Sequence, residues 1–203
     1  IEPYYDDMPE PQDVNVRNKE IEELPWGGKF AFYWCIVGGA IDNRYATAIK
    51  KGIMQSMTEG PLTGSNCQNI RVCIYDGKMH AVDSNDISFQ LAAAHAFKDA
   101  FNEARPQLLE PYYQLEVLCE DAYTGDVMGD LQTRRAIIQG MDTDGHYQKI
   151  ISEVPLAELK DYGSTLRSLT QGKAKFKLEF SSYQLVPTHV QESLVISNAV
   201  LSE

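Results

Sequence analysis

The order of apolar patterns between residues 114 and 183 constrains the fold more than any other feature of this sequence. Six segments there have the apolar spacing of strands or helices, in the order strand, helix, strand, strand, helix, strand. They are residues 114–119, 125–136, 136–141, 147–154, 155–169 and 173–183. Asp144-Gly145 is a hairpin signal between the two central strands, and Gly163 partly interrupts the second helix. This order predicts a ferredoxin-like βαββαβ domain.

A second layer of strands and helices is predicted upstream. Residues 30–37 are rich in aromatic and branched side chains and predict a strand. Residues 43–57 follow with helical spacing, and residues 70–75 alternate as a half-buried strand does. A long helix then extends to about residue 105. Strand, helix, strand, helix is the outline of a small α+β layer, so the sequence predicts two α+β domains.

The segment between strand 70–75 and the long helix contains His80 and several other polar residues. Gly77 is expected to supply the positive φ of a tight turn, and Ser84 or Asn85 is expected to cap the helix. Four apolar residues at helical spacing predict the buried face of that helix: Ile87, Leu91, Ala94 and Phe97. A loop held between a rigid strand and a helix is a common place for binding residues.

The chain of 203 residues carries a net charge of −11, which argues against a simple nucleic-acid-binding module. The acidity is uneven, because residues 1–25 hold eight acidic side chains against Arg17 and Lys19 and account for −6. This Pro-rich segment predicts an acidic surface loop or a poorly ordered segment. The four cysteines are scattered and form no CxxC pair, so buried free thiols are expected.

The sequence motifs of catalysis, nucleotide binding and metal binding are missing. There is no G-x-x-x-x-G-K-[ST] phosphate loop and no G-x-S-x-G elbow. His80, Asp83 and Ser84 are close in sequence, whereas the members of a catalytic triad normally come from distant segments. The cysteine and histidine spacings fit no common zinc pattern, and no run of about 18 apolar residues exists. A stand-alone enzyme, a metal protein and a membrane protein are therefore disfavoured.

Longer stretches of the sequence are similar to one known family. YDGKMHAVDSNDISFQLAAAHAFKDAF resembles part of the fourth domain of elongation factor G, the translocase of the ribosome. GGAIDNRYATAIKKGIMQSMTEGPLTG resembles the segment just upstream, and LLEPYYQLEV resembles the junction into the fifth domain. Two further segments resemble the fifth domain itself: GDVMGDLQTRRAIIQGM and VPLAELKDYGSTLRSLTQGKAKFKLEFSSYQLVP. The resemblance extends from about residue 30 to residue 195.

The resemblance implies a domain plan. Residues 1–108 are expected to form a ribosomal protein S5 domain 2-like βαβα fold with a left-handed crossover, and residues 109–186 a ferredoxin-like domain. Residues 187–203 are expected to form a helix that closes the first domain. Residues 4–28 are interpreted as an acidic insertion, in a domain that lacks its first strand and glycine-rich first tip loop. We therefore expect a C-terminal fragment of a longer translational GTPase, without its GTPase domain.

The resemblance also implies two sets of RNA contacts. In this family a loop at the tip of the fourth domain carries a histidine to the decoding site, where it contacts transfer RNA and messenger RNA. The matching residues here are Lys78, Met79, His80, Ala81, Val82 and Asp83. The fifth domain lies near large-subunit ribosomal RNA, and the residues implied for that contact are Arg134, Arg135, Arg167, Gln171 and Lys173. Lys173, Lys175 and Lys177 alternate along one strand, which is typical of either solvated surface or a phosphate-binding face.

The function implied is GTP-dependent translocation of tRNA and mRNA by the parent protein, a cytoplasmic monomer whose partner is the ribosome. This chain is expected to hold no catalytic residue, metal or cofactor, since GTP and Mg²⁺ belong to the missing GTPase domain. Two alternatives stay open. One is a paralogue that acts in ribosome recycling or protection, and the other is a protein-interaction module without an RNA role, which the net charge favours.

Overall fold

The computed structural model describes the backbone of residues 1–201 and the side chains of residues 1–198. The chain divides into two compact units. The first unit contains Ile1–Pro106 and the C-terminal segment that starts at Glu192, and the second contains Gln107–Gln191. Each unit has its own four-stranded sheet and hydrophobic core, so the predicted pair of α+β domains is confirmed.

The first unit has the predicted strand, helix, strand, helix order at its centre. Its elements are β1 (Glu2–Pro3), β2 (Asn18–Glu23), β3 (Lys29–Trp34), α1 (Ala46–Thr58), β4 (Ile70–Ile74) and α2 (Asp86–Glu103). The sheet order is β1-β4-β3-β2. The central strands β3 and β4 run parallel, while β1 and β2 pair antiparallel at the two edges. Because β3 and β4 are parallel, the loops that follow them leave from the same end of the two strands.

Both helices of the first unit cover one face of its sheet. Aromatic residues of β3 form the centre of this core, and the ring centroids of Phe30 and Phe32 lie 6.3 Å apart. Helices α1 and α2 approach each other closely at Gly52, where a Cβ atom would overlap the backbone carbonyl of Gln90. Only glycine fits this crossing without moving one of the helices.

The predicted buried face of α2 is wrong at Ile87 and Leu91, although Phe97 is buried as predicted. Ile87 and Leu91 are 71% and 57% exposed, and the buried residues are Phe89, Ala93 and Phe97. Both sets recur at helical spacing, but the second set places two phenylalanine rings in the core. Burial of large aromatic rings removes more apolar surface from water than burial of the Ile87 and Leu91 side chains would.

The N-terminal segment covers the opposite face of the same sheet. We call residues 4–17 the strap. Its Tyr4 is buried, and Met8, Val14 and Val16 pack with it in a second cluster whose sheet residues are Ala31, Tyr33, Cys35 and Cys73. The prediction of an acidic surface loop in residues 1–25 is therefore wrong in two respects: the strap packs on the sheet, and β2 forms an edge strand of it.

Ion pairs attach the strap and β1 to the sheet. Arg71 of β4 is only 2% exposed and donates to Glu2 Oε1 at 2.9 and 2.7 Å and to the Pro9 carbonyl at 2.6 Å. Lys29 Nζ lies 2.6 Å from Asp6 Oδ1. Glu10 of the strap also pairs with Lys19 of β2 at 2.9 Å, so three acidic side chains of this segment bind cations of the sheet.

The second unit has the predicted ferredoxin-like order. Its elements are β5 (Leu109–Glu120), α3 (Thr124–Thr133), β6 (Ile137–Asp144), β7 (Tyr147–Pro155), α4 (Tyr162–Leu169) and β8 (Ala174–Leu185). The sheet order is β6-β7-β5-β8, with antiparallel pairs throughout. The predicted break at Gly163 is wrong, because Gly163 lies inside α4. The interruption is instead at Lys160 and Asp161, where Asp161 has φ +59°.

A C-terminal helix, α5 (Thr188–Leu201), is present where one was predicted, and the last two residues of that prediction lie outside the described residues. Four buried free thiols were expected, and three of them (Cys35, Cys67 and Cys119) are buried, whereas Cys73 is half-buried. Burial raises the pKa of the Cys35 and Cys67 thiols to about 11. Within residues 1–201, no helix has the length and apolar character needed to span a membrane.

Candidate functional site

The loops after β3 and β4 pack against each other beyond the C-terminal ends of these two strands. We call residues 76–84 the tip loop. The Asp42 amide donates to Met79 Sδ at 3.2 Å, and Met79 packs against the main core. Gly77 does not have a positive φ, so the turn predicted there is wrong. Gly77 is required by close approach instead, because a Cβ would overlap the buried Ile41 side chain.

An aromatic pair supports the other end of the tip loop. The ring of Tyr45 stacks on Phe89 with centroids 4.4 Å apart, and its hydroxyl donates to the Ser84 carbonyl at 3.0 Å. Arg44 lies over the Tyr45 ring at 4.7 Å and donates to its hydroxyl at 2.9 Å. The end of the tip loop is therefore held by residues that belong to the core or contact it.

The start of α2 fixes the backbone of the tip loop. Asn85 is the N-cap, as predicted, and forms a capping box with Ser88. Ser84, the other candidate for the cap, instead accepts the His80 amide on its Oγ at 2.8 Å. Ser88 Oγ also lies 3.2 Å from the Asp83 carbonyl. These short-range bonds define the path of residues 80–88, and His80 Nδ1 also accepts from the Val82 and Asp83 amides at 3.4 and 3.3 Å.

The six tip residues named from the sequence are almost all on the surface. Lys78, His80, Ala81, Val82 and Asp83 are exposed, and Met79 is half-buried as the anchor described above. The His80 side chain is 69% exposed, and its Nδ1 lies 3.0 Å from Asp83 Oδ2. Lys78 forms no ion pair within residues 1–198. The tip loop therefore presents an imidazole, an ammonium group and the apolar Val82 to solvent on a fixed backbone.

The arginines named from the sequence are used inside the second unit. Arg135 donates to both carboxylate oxygens of Glu110 at 2.8 and 2.9 Å and to Glu158 at 2.8 Å. These two carboxylates raise the pKa of Arg135 above its already high ordinary value. Its neighbour Arg134 donates to Asp130 at 2.8 Å and to the Glu158 carbonyl at 2.6 Å. Arg135 thus joins the end of α3 to β5 through Glu110. Both arginines join it to the segment before α4 through Glu158.

The other three basic or polar residues lie elsewhere on the same unit. Arg167 and Gln171 are exposed, and Gln171 has φ +54° in the turn after α4. Lys173 lies 3.2 Å from Glu120, at the end of β5 opposite Glu110. The ten residue steps from Glu110 to Glu120 correspond to roughly 30 Å of strand. The structure therefore separates the proposed rRNA set into an arginine pair at one end of the sheet and an exposed group at the other.

Comparison with known proteins gives matches along most of the chain. The family model "Elongation factor G, domain IV" matches residues 17–105, and "Elongation factor G C-terminus" matches residues 107–194. Elongation factor G from Aquifex pyrophilus is 45% identical over 176 residues, which is 87% of this chain and 25% of that protein. The chain belongs to the elongation factor G family. It contains the regions that correspond to the fourth domain and the C terminus.

Other relatives agree with this assignment. Thermotoga maritima has an "Elongation factor G-like protein" that is 41% identical and an "Elongation factor G" that is 40% identical, each over 177 residues. These cover 87% and 86% of this chain and 26% of each relative. A crystal structure of a protein from Thermus thermophilus superposes with a TM-score of 0.73 at 38% identity, over 89% of this chain and 29% of that one. The chain thus spans about a quarter of the length of the curated relatives it matches.

Two features of the first unit were not predicted from the sequence. The fourth-domain match begins at residue 17 and so includes β2, which lies in the segment interpreted as an insertion. Neither Arg44 nor Tyr45, which support the tip loop, was named as a site residue from the sequence, although DNRY follows the conspicuous Gly38-Gly39 turn. Within residues 1–198, no group of three or more His, Cys, Asp or Glu side chains could hold a metal ion.

Proposed function

We propose that this chain is the ribosome-engaging part of a translational GTPase that moves transfer RNA and messenger RNA through the ribosome. The observation that carries the proposal is the tip loop, in which an exposed His80 stands on a backbone fixed by Ser84 and Met79. A mechanical role requires a stiff support and a side chain free to contact a partner. In this role the six tip residues contact the decoding-site region, and no bond is broken by this chain.

The imidazole suits an RNA partner because it can donate, accept and stack on a base. The ammonium group of Lys78 adds attraction to phosphates. Elsewhere in the parent, GTP and Mg²⁺ are proposed to bind to a GTPase domain. The site of action is the cytoplasmic ribosome, with the parent acting as a monomer.

The second unit is proposed to contact large-subunit ribosomal RNA. Arg167, Gln171 and Lys173 support this because they are exposed and lie in one turn of the chain around the end of α4. Arg134 and Arg135 enter the proposal as residues that hold the unit together, since their N–H groups already bind carboxylates and carbonyls.

The test of the tip is a single-round translocation assay with the full-length parent. His80→Ala is expected to slow translocation more than it weakens ribosome binding. His95→Ala is the matched control, because His95 is also exposed but lies along α2 and away from the tip loop. Equal translocation rates for the parent and His80→Ala would contradict the tip role.

A paralogue that acts in ribosome recycling or protection is the second candidate. It is favoured by the nearly equal identity of this chain to two Thermotoga maritima proteins, one of which is named only elongation factor G-like. Ribosome splitting and translocation measured on the same parent distinguish the two roles. A parent that binds ribosomes but never advances the messenger supports the paralogue.

The net charge of −11 raises the third possibility, a protein-interaction module without an RNA role. Binding of this chain to ribosomes is expected to weaken steeply as salt increases, because contacts with phosphates release counterions. Lys173→Ala is expected to reduce the salt slope, while Lys98→Ala, at an exposed position on α2 of the first unit, is the control. Binding that does not respond to salt would favour the protein-interaction module.

A further inference from the structure

The edge strand β8 has an apolar stripe that its own unit leaves exposed. β8 is the last strand in the order β6-β7-β5-β8, and among the described residues it pairs with β5 alone. Its second edge therefore has backbone N–H and C=O groups that no strand uses. Five large apolar side chains recur along β8 with exposed fractions of 37–57%: Phe176, Leu178, Phe180, Tyr183 and Leu185.

The stripe lies on the face of the sheet that the helices cover. Phe176 and Leu178 are directly opposite Val117 and Leu115 of β5, which are fully buried in the core of the second unit. Directly opposed residues of an antiparallel pair point to the same face. The Phe176 ring contacts the margin of that core, because its centroid lies 5.3 Å from the centroid of buried Tyr162 in α4. The stripe therefore continues the core to the edge of the sheet, where the helices no longer cover it.

The opposite face of β8 carries charges, and a bulge limits the regular part of the strand. Lys177 Nζ lies 3.1 Å from Glu179 Oε2, and the two side chains are 68% and 67% exposed. The register between β5 and β8 shifts after Phe180 and leaves Ser181 as an extra residue. A bulge of this kind disrupts the ladder at the edge of a sheet. The part of the free edge that can accept a further strand in regular register is therefore residues 174–180.

The sequence of this part, AKFKLEF, is complementary to itself. If a second copy is placed antiparallel about a two-fold axis at Leu178, Lys177 of each copy faces Glu179 of the other. Phe176 then faces Phe180, and the two apolar stripes lie on the same face. An axis at Lys177 or at Glu179 would oppose two like charges, which is destabilising. An axis between two residues would place the two stripes on opposite faces.

We propose that two free copies of this chain pair antiparallel through β8, about a two-fold axis at Leu178, so that their second sheets become one continuous sheet. Strand addition satisfies the backbone groups of both edges, and the stripe supplies apolar contact. The Lys177–Glu179 contacts, made twice by symmetry, fix the register. The proposal concerns the chain free in solution and does not depend on the proposed function, in which the parent acts on the ribosome as a monomer.

The first test is sedimentation equilibrium of this chain over a range of concentrations. A single pair of strands buries less than the standard interface of about 800 Å² per partner, so we expect a reversible dimer with a Kd on the order of 10–100 µM. The average mass should therefore rise from that of the monomer toward that of the dimer across this range. A chain that stays monomeric well above it would overturn the proposal and leave the stripe to a different occupant, such as another part of the parent.

The second test exchanges the charges that face each other. Lys177→Glu and Glu179→Lys each oppose like charges at both contacts, so each should weaken dimerisation about tenfold. An equal mixture of the two variants should dimerise as the parent chain does, because opposite charges again face each other in the mixed pair. That recovery excludes misfolding as the cause of the loss. Lys98→Glu, on α2 of the first unit, is the charge-matched control. Dimers that ignore both variants, or a mixture that does not recover, would contradict the pairing through β8.

The third test measures the register by disulfide crosslinking under mild oxidation. Leu178→Cys places the new thiol on the two-fold axis, within the Cα separation of about 4.4–6.8 Å that a disulfide requires, and should give a covalent dimer. Phe180→Cys has the same native cysteines, but its new thiol would be roughly 13 Å along the strand from its copy and should not crosslink. A covalent dimer from Phe180→Cys, or none from Leu178→Cys, would overturn the axis at Leu178.

Discussion

The tip loop and the pair Arg134–Arg135 both contain polar residues for which the resemblance to elongation factor G implies RNA contact, but the structure uses them in opposite ways. His80 is 69% exposed, and the shorter bonds that hold its loop are made by its neighbours, while its Nδ1 accepts from two loop amides at 3.3 and 3.4 Å. The side chain of Arg135 is 26% exposed and binds two carboxylates. A polar side chain is available to a partner when other residues do the structural work around it.

The two sheets also differ in how many of their faces are covered. In the first unit the strap and the helices cover both faces of the sheet, and buried Arg71 ties the strap in place. In the second unit the helices cover one face, and the exposed strand face carries ion pairs such as Lys149–Glu116 at 3.0 Å. Exposed pairs of this kind contribute about 0–1 kcal/mol each, so the stability of the second unit depends on its helix-covered core and on its buried pairs.

The largest expected effect tests the support beneath the tip loop. Phe89→Ala should lower the free energy of unfolding of the first unit by about 3 kcal/mol, because it removes a buried ring stacked on Tyr45. Leu91→Ala, two residues along the same helix, should change it by less than about 0.5 kcal/mol because that side chain is 57% exposed. Urea unfolding followed by tryptophan fluorescence measures this, since Trp26 and Trp34 both belong to the first unit. Equal effects of the two substitutions would contradict the observed helix face.

The next effect tests whether Arg135 is structural. Arg135→Ala leaves Glu110 without its bidentate partner, and Glu110 is 8% exposed. Removing one partner from a fully buried pair costs about 3–5 kcal/mol, and partial exposure of Arg135 reduces this to about 2–3 kcal/mol. Amide hydrogen exchange in β5 should report the loss, while the tryptophan signal of the first unit stays constant. Arg167→Ala is the matched control, and a similar loss there would remove the distinction between the two basic groups.

A smaller effect tests the contact between the two loops at the tip. Gly77→Ala should cost about 1 kcal/mol, because the added methyl group must displace the buried Ile41 side chain. In an Ile41→Ala background the space is free, so the same change should cost nothing. A double-mutant cycle in urea gives the coupling directly. A cost that is unchanged in the Ile41→Ala background would show that backbone conformation, and not the Ile41 contact, requires glycine at position 77.

These comparisons show which parts of the molecule could be read from its sequence. The ferredoxin-like order was predictable because each strand and helix of that unit has a clear period and a hairpin signal at Asp144-Gly145. The face of α2 was not, since Ile87 and Leu91 recur with the same helical spacing as Phe89, Ala93 and Phe97. Periodicity cannot choose between two apolar stripes on one helix.

Local sequence patterns also could not predict the edge strand β2 or the ion pairs between residues that are distant in sequence. The sequence NKEIEE of β2 has too many charges to look like a strand, and it is tolerated because an edge strand leaves most side chains in solvent. The partners of Arg135 are 25 and 23 residues away in sequence, so nothing local distinguishes this arginine from an exposed one. The position of the tip loop, in contrast, follows from two parallel strands whose loops leave from the same strand ends.

The smallest expected effect concerns His80 itself. His80→Ala should change the free energy of unfolding of the first unit by less than about 0.5 kcal/mol, because the ring is exposed and the loop backbone is held by Ser84, Met79 and Tyr45. Tryptophan fluorescence in urea measures this on the same scale as Phe89→Ala. If stability is unchanged while translocation slows, the loss belongs to a contact made outside the chain. If stability falls by about 1 kcal/mol or more, the imidazole is part of the structural support of the tip loop, and the contrast with Arg135 disappears.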